Sequence, residues 1–118
     1  MNEKRVREAL HDLAEASSEL AFVCERDVTD FAATWRTVAA NARILERQPE
    51  PLQGQGDVTS LLAAVASLFS RNPGSFAEAY VVRAAFNEQL EENAKFEALK
   101  RRVSAAAGAL REAFADGA

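Results

Sequence analysis

The only histidine, His11, and the only cysteine, Cys24, are the first residues to weigh for chemistry. A histidine on a helix can accept a phosphoryl group, and with a thiolate and carboxylates it can ligate zinc. His11 stands beside Asp12 and Glu15, with no flanking glycine, and reads as a solvent-facing helical residue. Cys24 follows about three turns later on the same expected helix, too far to share a metal with it. A single histidine also cannot supply the two Glu-x-x-His pairs of a di-iron bundle. Cys24 falls in an apolar stripe, and Glu25 and Asp27 outnumber Arg26 around it, which disfavours a thiolate. It is expected to be buried and inert, with a thiol-to-thiol contact between two copies as the alternative.

Carboxylates are plentiful. Glu15, Glu19, Glu88, Glu91 and Glu92 would have to converge in an apolar pocket before one of them became a general acid. Their consecutive and i,i+4 spacing reads instead as solvated helix surface. The sequence contains no Gly-rich phosphate loop, nucleophile elbow or Cys-x-x-Cys pair. No catalytic residue, cofactor or metal ligand is assigned, and the expectation is a non-enzyme.

Two other constellations suit binding. Tyr80, Arg83 and Asn87 share one side of an expected helix, in the stretch Ala79–Phe86 that is apolar on more than one face. With Phe31 and Trp35, the residues Tyr80, Val81, Arg83 and Phe86 are the candidate partner or dimer face. Lys4, Arg5 and Arg7 begin the chain's first helix, and Lys100, Arg101 and Arg102 come late in its last. If those helices pair antiparallel, the two clusters are expected to merge into a basic tip that could steer an acidic partner.

The elements that must position these residues follow from hydrophobic periodicity. Val6, Leu10, Leu13, Ser17, Leu20, Cys24, Val28, Phe31, Trp35, Val38, Ala42 and Leu45 recur at alternating steps of three and four, with an extra four near Leu20–Val28. The spacing predicts one helix over about 2–47, with a kink or break possible in the polar, β-branched stretch 25–30. Such a helix would extend about 65–70 Å. Pro49, Pro51, Gly54 and Gly56 mark a linker over 48–56. Asp57 is the expected cap of a buried helix over about 58–71. Asn72-Pro73-Gly74 ends it, and Ser75-Phe76-Ala77-Glu78 matches a capping box that predicts a third helix over about 76–115. Gly108, inside that helix, suggests a close crossing.

The 118 residues fit one all-α domain of 48% hydrophobic composition, rich in alanine, with a net charge of −4. That charge argues against nucleic acid held by bulk attraction. No run approaches the ~20 apolar residues of a membrane span, no secretion signal is evident, and a cytoplasmic location is expected. Two narrow stripes pairing antiparallel leave Leu20, Phe31, Trp35, Phe86 and Phe96 partly wet. Either the long helices fold back at hidden breaks or a second chain covers them, and the favoured expectation is a homodimer. The expected function is that of a helical interaction module (chaperone-, adaptor-, antitoxin- or inhibitor-like) that binds another protein. A regulator whose basic tip contacts nucleic acid or an acidic ligand, and a carboxylate enzyme within the bundle, are the alternatives.

Overall fold

The stripe of the first segment does not run through a single helix. The computed structural model, which describes residues 3–48, 55–70 and 75–115, ends α1 (Glu3–Asp27) one residue before Val28. Val28 takes φ −142° and ψ 66°, and a 3₁₀ turn over Thr29–Phe31 leads into α2 (Ala32–Arg47). The expected kink is therefore a full reversal. Adjacent β-branched residues, Val28 and Thr29, weaken the helix at this point. The ion pairs Arg36–Glu25 at 2.5 Å and Arg43–Glu15 at 3.9 Å set α2 antiparallel to α1. At the far end Arg7 caps α2, donating through Nη1 to the Glu46 carbonyl and through Nη2 to the Gln48 carbonyl at 2.6 Å. Carbonyls at a helix C-terminus lack intrahelical donors, and a guanidinium supplies them.

α3 (Gln55–Leu68) packs on α2 and touches α4. It begins before Asp57, which lies in its first turn rather than at its cap. Among its described side chains it buries only Val58, Leu61 and Val65, leaving Ala63, Ala64 and Ala66 exposed, so it is less enclosed than its composition suggests. Most of the expected linker (49–54) and the Asn72-Pro73-Gly74 stop lie outside the described residues.

The third expected helix starts ten residues late. Phe76–Glu78 forms a 3₁₀ turn, 79–85 is non-helical, and α4 spans Phe86–Ala115. The capping box does not form, since Ser75 Oγ donates to the Ser70 carbonyl at 2.8 Å and caps nothing. α4 runs antiparallel to α1, as the pairs Arg26–Glu92 at 3.3 Å and Arg102–Glu19 at 3.1 Å require.

The core follows from these reversals. Phe76 is fully buried and meets Phe31, Trp35, Phe69 and Phe96 edge-on at centroid distances of 5.2, 5.0, 5.9 and 5.5 Å. Leu10, Leu13, Leu20, Val103 and Leu110 extend the core along α1 and α4. The chain's longest dimension is 49 Å, shorter than a continuous first helix would be. The burial of Leu20, Trp35 and Phe96 for which a second copy was invoked is supplied within one chain. Among the described residues no helix is long and apolar enough to cross a membrane.

Candidate functional site

The segment 79–85 is held as an extended strap along the first half of α4. Ala79 has φ −64° and ψ 142°, and burial then alternates: Tyr80 is exposed, Val81 is buried, Val82 is exposed and Arg83 turns inward. That is the period of two of a strand, favoured by consecutive β-branched residues. No second strand pairs with it among the described residues. Side chains of α4 take that part. Val81 N–H donates to Asn93 Oδ1 at 2.7 Å, and Asn93 Nδ2 donates back to the Val81 carbonyl at 2.8 Å. Arg83 N–H donates to Gln89 Oε1 at 3.0 Å.

Both ends of the strap are anchored by charge. Lys100 is only 4% exposed. Its Nζ donates to the carbonyls of Ala77 at 3.2 Å and Ala79 at 2.7 Å and pairs with Glu97 at 2.9 Å. The ammonium also lies 5.3 Å from the centroid of Phe76 and 4.7 Å from that of Phe96. A buried cation is tolerated when its protons are all directed to oxygens and aromatic faces. At the other end Arg83 makes a bidentate pair with Asp27, Nη1 to Oδ1 at 2.8 Å and Nη2 to Oδ2 at 3.1 Å. The Arg83 hydrogen bonds, with help from Arg26, hold the Asp27 carboxyl below its ordinary 3.8, and the same pairing raises Arg83.

The outward side of this assembly is apolar. Tyr80, Val82, Phe86 and Leu90 are 64%, 66%, 71% and 55% exposed, and only Phe22 and Ile44 join them as large exposed apolar side chains among the described residues. Helical spacing makes the four one surface. Asn93 is three residues beyond Leu90 and Gln89 three beyond Phe86, so the strap bonded to Asn93 and Gln89 runs beside the Phe86–Leu90 row. Glu88 and Glu91 are exposed on other faces of the first turns of α4. Glu91 has no ion pair among the described residues, and Glu88 has only Arg83 at 3.8 Å.

The structure thus divides the expected partner face. Tyr80 and Phe86 are on the surface, Arg83 anchors it, and Phe31 is half-buried beneath. Trp35 and Val81 are fully buried and belong to the core, because the fold-back at Val28 and the inward turn of the strap enclose them. Val82 and Leu90, outside the expected face, are exposed as well. The signal for Val82 was the alternation Tyr80-Val81-Val82-Arg83, which suits a strand better than a helix.

The expected basic tip does not assemble. Arg102 meets Glu19, so Lys100–Arg102 lies near the middle of α1, while Lys4, Arg5 and Arg7 occupy its first turns. The separation along α1 is about 20 Å. Lys100 is buried and Arg7 is committed to the end of α2, whereas Lys4, Arg5 and Arg101 are exposed.

His11 and Cys24 do not meet. His11 is exposed, with Nδ1 2.9 Å from Glu46 Oε1. Cys24 is buried, and desolvation pushes its thiol up to about 11 despite the opposing charge of Lys100. Among the described residues no three His, Cys, Asp or Glu side chains stand close enough to hold a metal. A groove of about 570 Å³ lies between α2 and α3, lined by Thr37, Asn41, Ile44 and Leu61 among others. The chain matches no family model, and neither curated proteins nor solved structures contain a match.

Proposed function

We propose that this protein acts by binding another protein through the Tyr80–Val82–Phe86–Leu90 surface, without catalysing a reaction. One observation carries the reading: four of the six large exposed apolar side chains among the described residues sit on one strap and the helix turn beside it. Contiguous apolar surface is costly to leave in water and in soluble domains commonly marks an interaction site. The surface is also pre-organised. Asn93, Gln89, Lys100 and the Arg83–Asp27 pair fix the strap before any partner arrives, which lowers the ordering cost of association. Tyr80 suits such a site, joining a large apolar ring to a hydroxyl that can stay hydrated. The separation of His11 from Cys24, and the raised thiol, support binding over nucleophilic chemistry.

A photo-crosslinking amino acid placed in turn at Tyr80, Phe22 and Ile44, in cells that express the protein, tests the reading. The expected result is a discrete adduct from position 80 that is lost when Leu90 is changed to Glu. Adducts of equal yield from all three positions, or from position 44 alone, would sink it.

A further inference from the structure

α4 carries a second stripe, on the side away from the core. Phe96 and Val103 face the core, and Gln89 and Asn93 face the strap. Asn87, Glu91, Ala94, Ala98, Arg101 and Ala105 follow one another at steps of four, three, four, three and four, and all of them are exposed. That is the spacing of a seam that packs on another helix, and alanine at its middle allows a close approach. Phe86 and Leu90 flank the stripe on the strap's side, also exposed. The charges along α4 are segregated. Its first half holds Glu88, Glu91, Glu92 and Glu97 with only Lys95, and its second half holds Lys100, Arg101, Arg102 and Arg111 with only Glu112. The helix dipole favours such an order within the first and last turns, but Glu97, Lys100, Arg101 and Arg102 lie in the middle of the helix. Of the charges within the stripe, Glu91 and Arg101, neither has an ion pair among the described residues.

We propose that a second copy of this chain docks along this stripe, with its α4 antiparallel to the first. The inference rests on the binding role proposed above, since Phe86 and Leu90 belong to that surface, and it names the occupant. The stripe is symmetric about residue 96. A twofold axis there sets Asn87 opposite Ala105, Glu91 opposite Arg101 and Ala94 opposite Ala98 of the other copy. The antiparallel arrangement brings the acidic half of each α4 onto the basic half of its mate, whereas a parallel one sets like charges together. Glu91 and Arg101 then find between the chains the ion pairs they lack within one, twice over by symmetry. Ala94 and Ala98 form the crossing. Leu90 lies along the aliphatic stem of Arg101 of the second copy, a long cation being able to cover apolar surface while its head stays in water. Phe86 lies toward Ala105 of the second copy. The two helices overlap over 86–106, about 30 Å of each.

Sedimentation equilibrium of the full chain over a dilution series provides the test. The expected result is a monomer–dimer equilibrium that Ala98→Glu abolishes, because a carboxylate then enters the crossing from both copies. Glu91→Arg should raise the Kd of the dimer at least ~10-fold, since it sets two like-charge pairs against Arg101 at once. Arg101→Glu should do the same. The double variant Glu91→Arg with Arg101→Glu should regain the dimer, a rescue that an effect on folding alone would not give. All these side chains are exposed in the single chain, and circular dichroism checks that each variant folds. A dimer that survives Ala98→Glu but is lost in Phe22→Glu would put the contact on α1 and overturn the proposal. A double variant no better than the single ones would overturn the antiparallel register. A monomer at every concentration would overturn the second copy as occupant. The surface reading would then stand if a crosslinker at position 80 still captured a different protein, and it would fall too if none were captured.

Discussion

Asn93 gives Val81 what a neighbouring strand would give it: an acceptor for its N–H at 2.7 Å and a donor to its carbonyl at 2.8 Å. The same amide donates to the Gln89 carbonyl of its own helix at 2.9 Å, so two bonds join the strap to α4 and a third fixes the side chain that makes them. Asn93→Ala should destabilise the fold by about 2 kcal/mol, because Val81 is buried and its backbone groups lose their partners. Asn93→Asp should do nearly as much harm, since a carboxylate accepts from the Val81 N–H but cannot donate to its carbonyl. Urea unfolding gives the size of the effect, and exchange of the Val81 amide gives its location. An unchanged Val81 amide in Asn93→Ala would show that the strap is held from elsewhere.

Lys100 makes a second prediction, in which two effects oppose. Replacing a buried ammonium removes a desolvation cost, but it also leaves the carbonyls of Ala77 and Ala79 without a donor. Three oxygen contacts and two aromatic rings surround the charge, so the loss should win. Lys100→Met is expected to cost about 1–2 kcal/mol and Lys100→Ala about 3 kcal/mol, the difference being the emptied space. Thermal unfolding of the pair checks the order, and a Lys100→Met variant as stable as the parent would refute the account.

The Arg83–Asp27 pair predicts how the strap responds to acid. The folded Asp27 carboxyl titrates below 3.8, so its contribution to stability is complete above that pH. It is lost as the pH falls from 3.8 through the folded value. With the Asp27 side chain only 7% exposed, solvent screens the pair little, and Asp27→Asn should cost about 2 kcal/mol at neutral pH. Unfolding free energies measured between neutral pH and about pH 3 should fall more steeply for the parent than for Asp27→Asn. Parallel curves would place the acid sensitivity on other carboxylates.

Burial of Cys24 predicts a silent thiol. A thiol raised to about 11 is almost wholly protonated at pH 8, and this one is also screened from reagent. Labelling by a thiol-reactive dye should therefore follow global unfolding and speed up with urea. The linkage has the sign of a raised acid: the contribution is complete below 9.0 and is lost as the pH rises from 9.0 through about 11. Rapid labelling in native buffer at pH 8 would contradict this placement.

The periodicity of the first segment identified its core residues well, because the two helices on either side of Val28 keep the same stripe inward. Val6, Leu10, Leu13, Ser17, Leu20, Cys24, Trp35, Val38, Ala42 and Leu45 are all buried, while Val28 and Phe31, at the reversal, are partly so. What periodicity could not convey was that two antiparallel helices of one chain share that stripe, and this is why Trp35 looked available to a partner. Around Phe76 local and tertiary preferences conflict. Ser75–Glu78 has the pattern of a helix start, but four aromatic rings enclose Phe76, and Asn93 and Lys100 supply the backbone bonds that a helix would have supplied. Asn93, at helical spacing between Leu90 and Phe96, was the visible sign of that arrangement. Tyr80 and Phe86 were legible as apolar residues in excess of the core's needs. Val82 and Leu90 were not, since a helix run through 76–115 conceals the alternation that turns Val82 outward.

Gly108 allows a last prediction, one that improves the protein. Its place inside α4 suggested a close helix crossing, but a Cβ built there meets nothing within 4 Å. The glycine therefore serves no packing requirement, and it carries the helix cost of an unrestrained backbone. Gly108→Ala should stabilise the fold by about 0.5–1 kcal/mol. In a domain of this size that corresponds to a rise in Tm of roughly 2–6 °C. Gly108→Leu separates open space from mere tolerance of a methyl group. If the space beside Gly108 remains open in solution, the larger side chain should be accommodated with little loss relative to alanine. A sharp loss of stability with leucine but not with alanine would reveal a neighbour at that position, and light scattering on both variants would show whether that neighbour is a second chain.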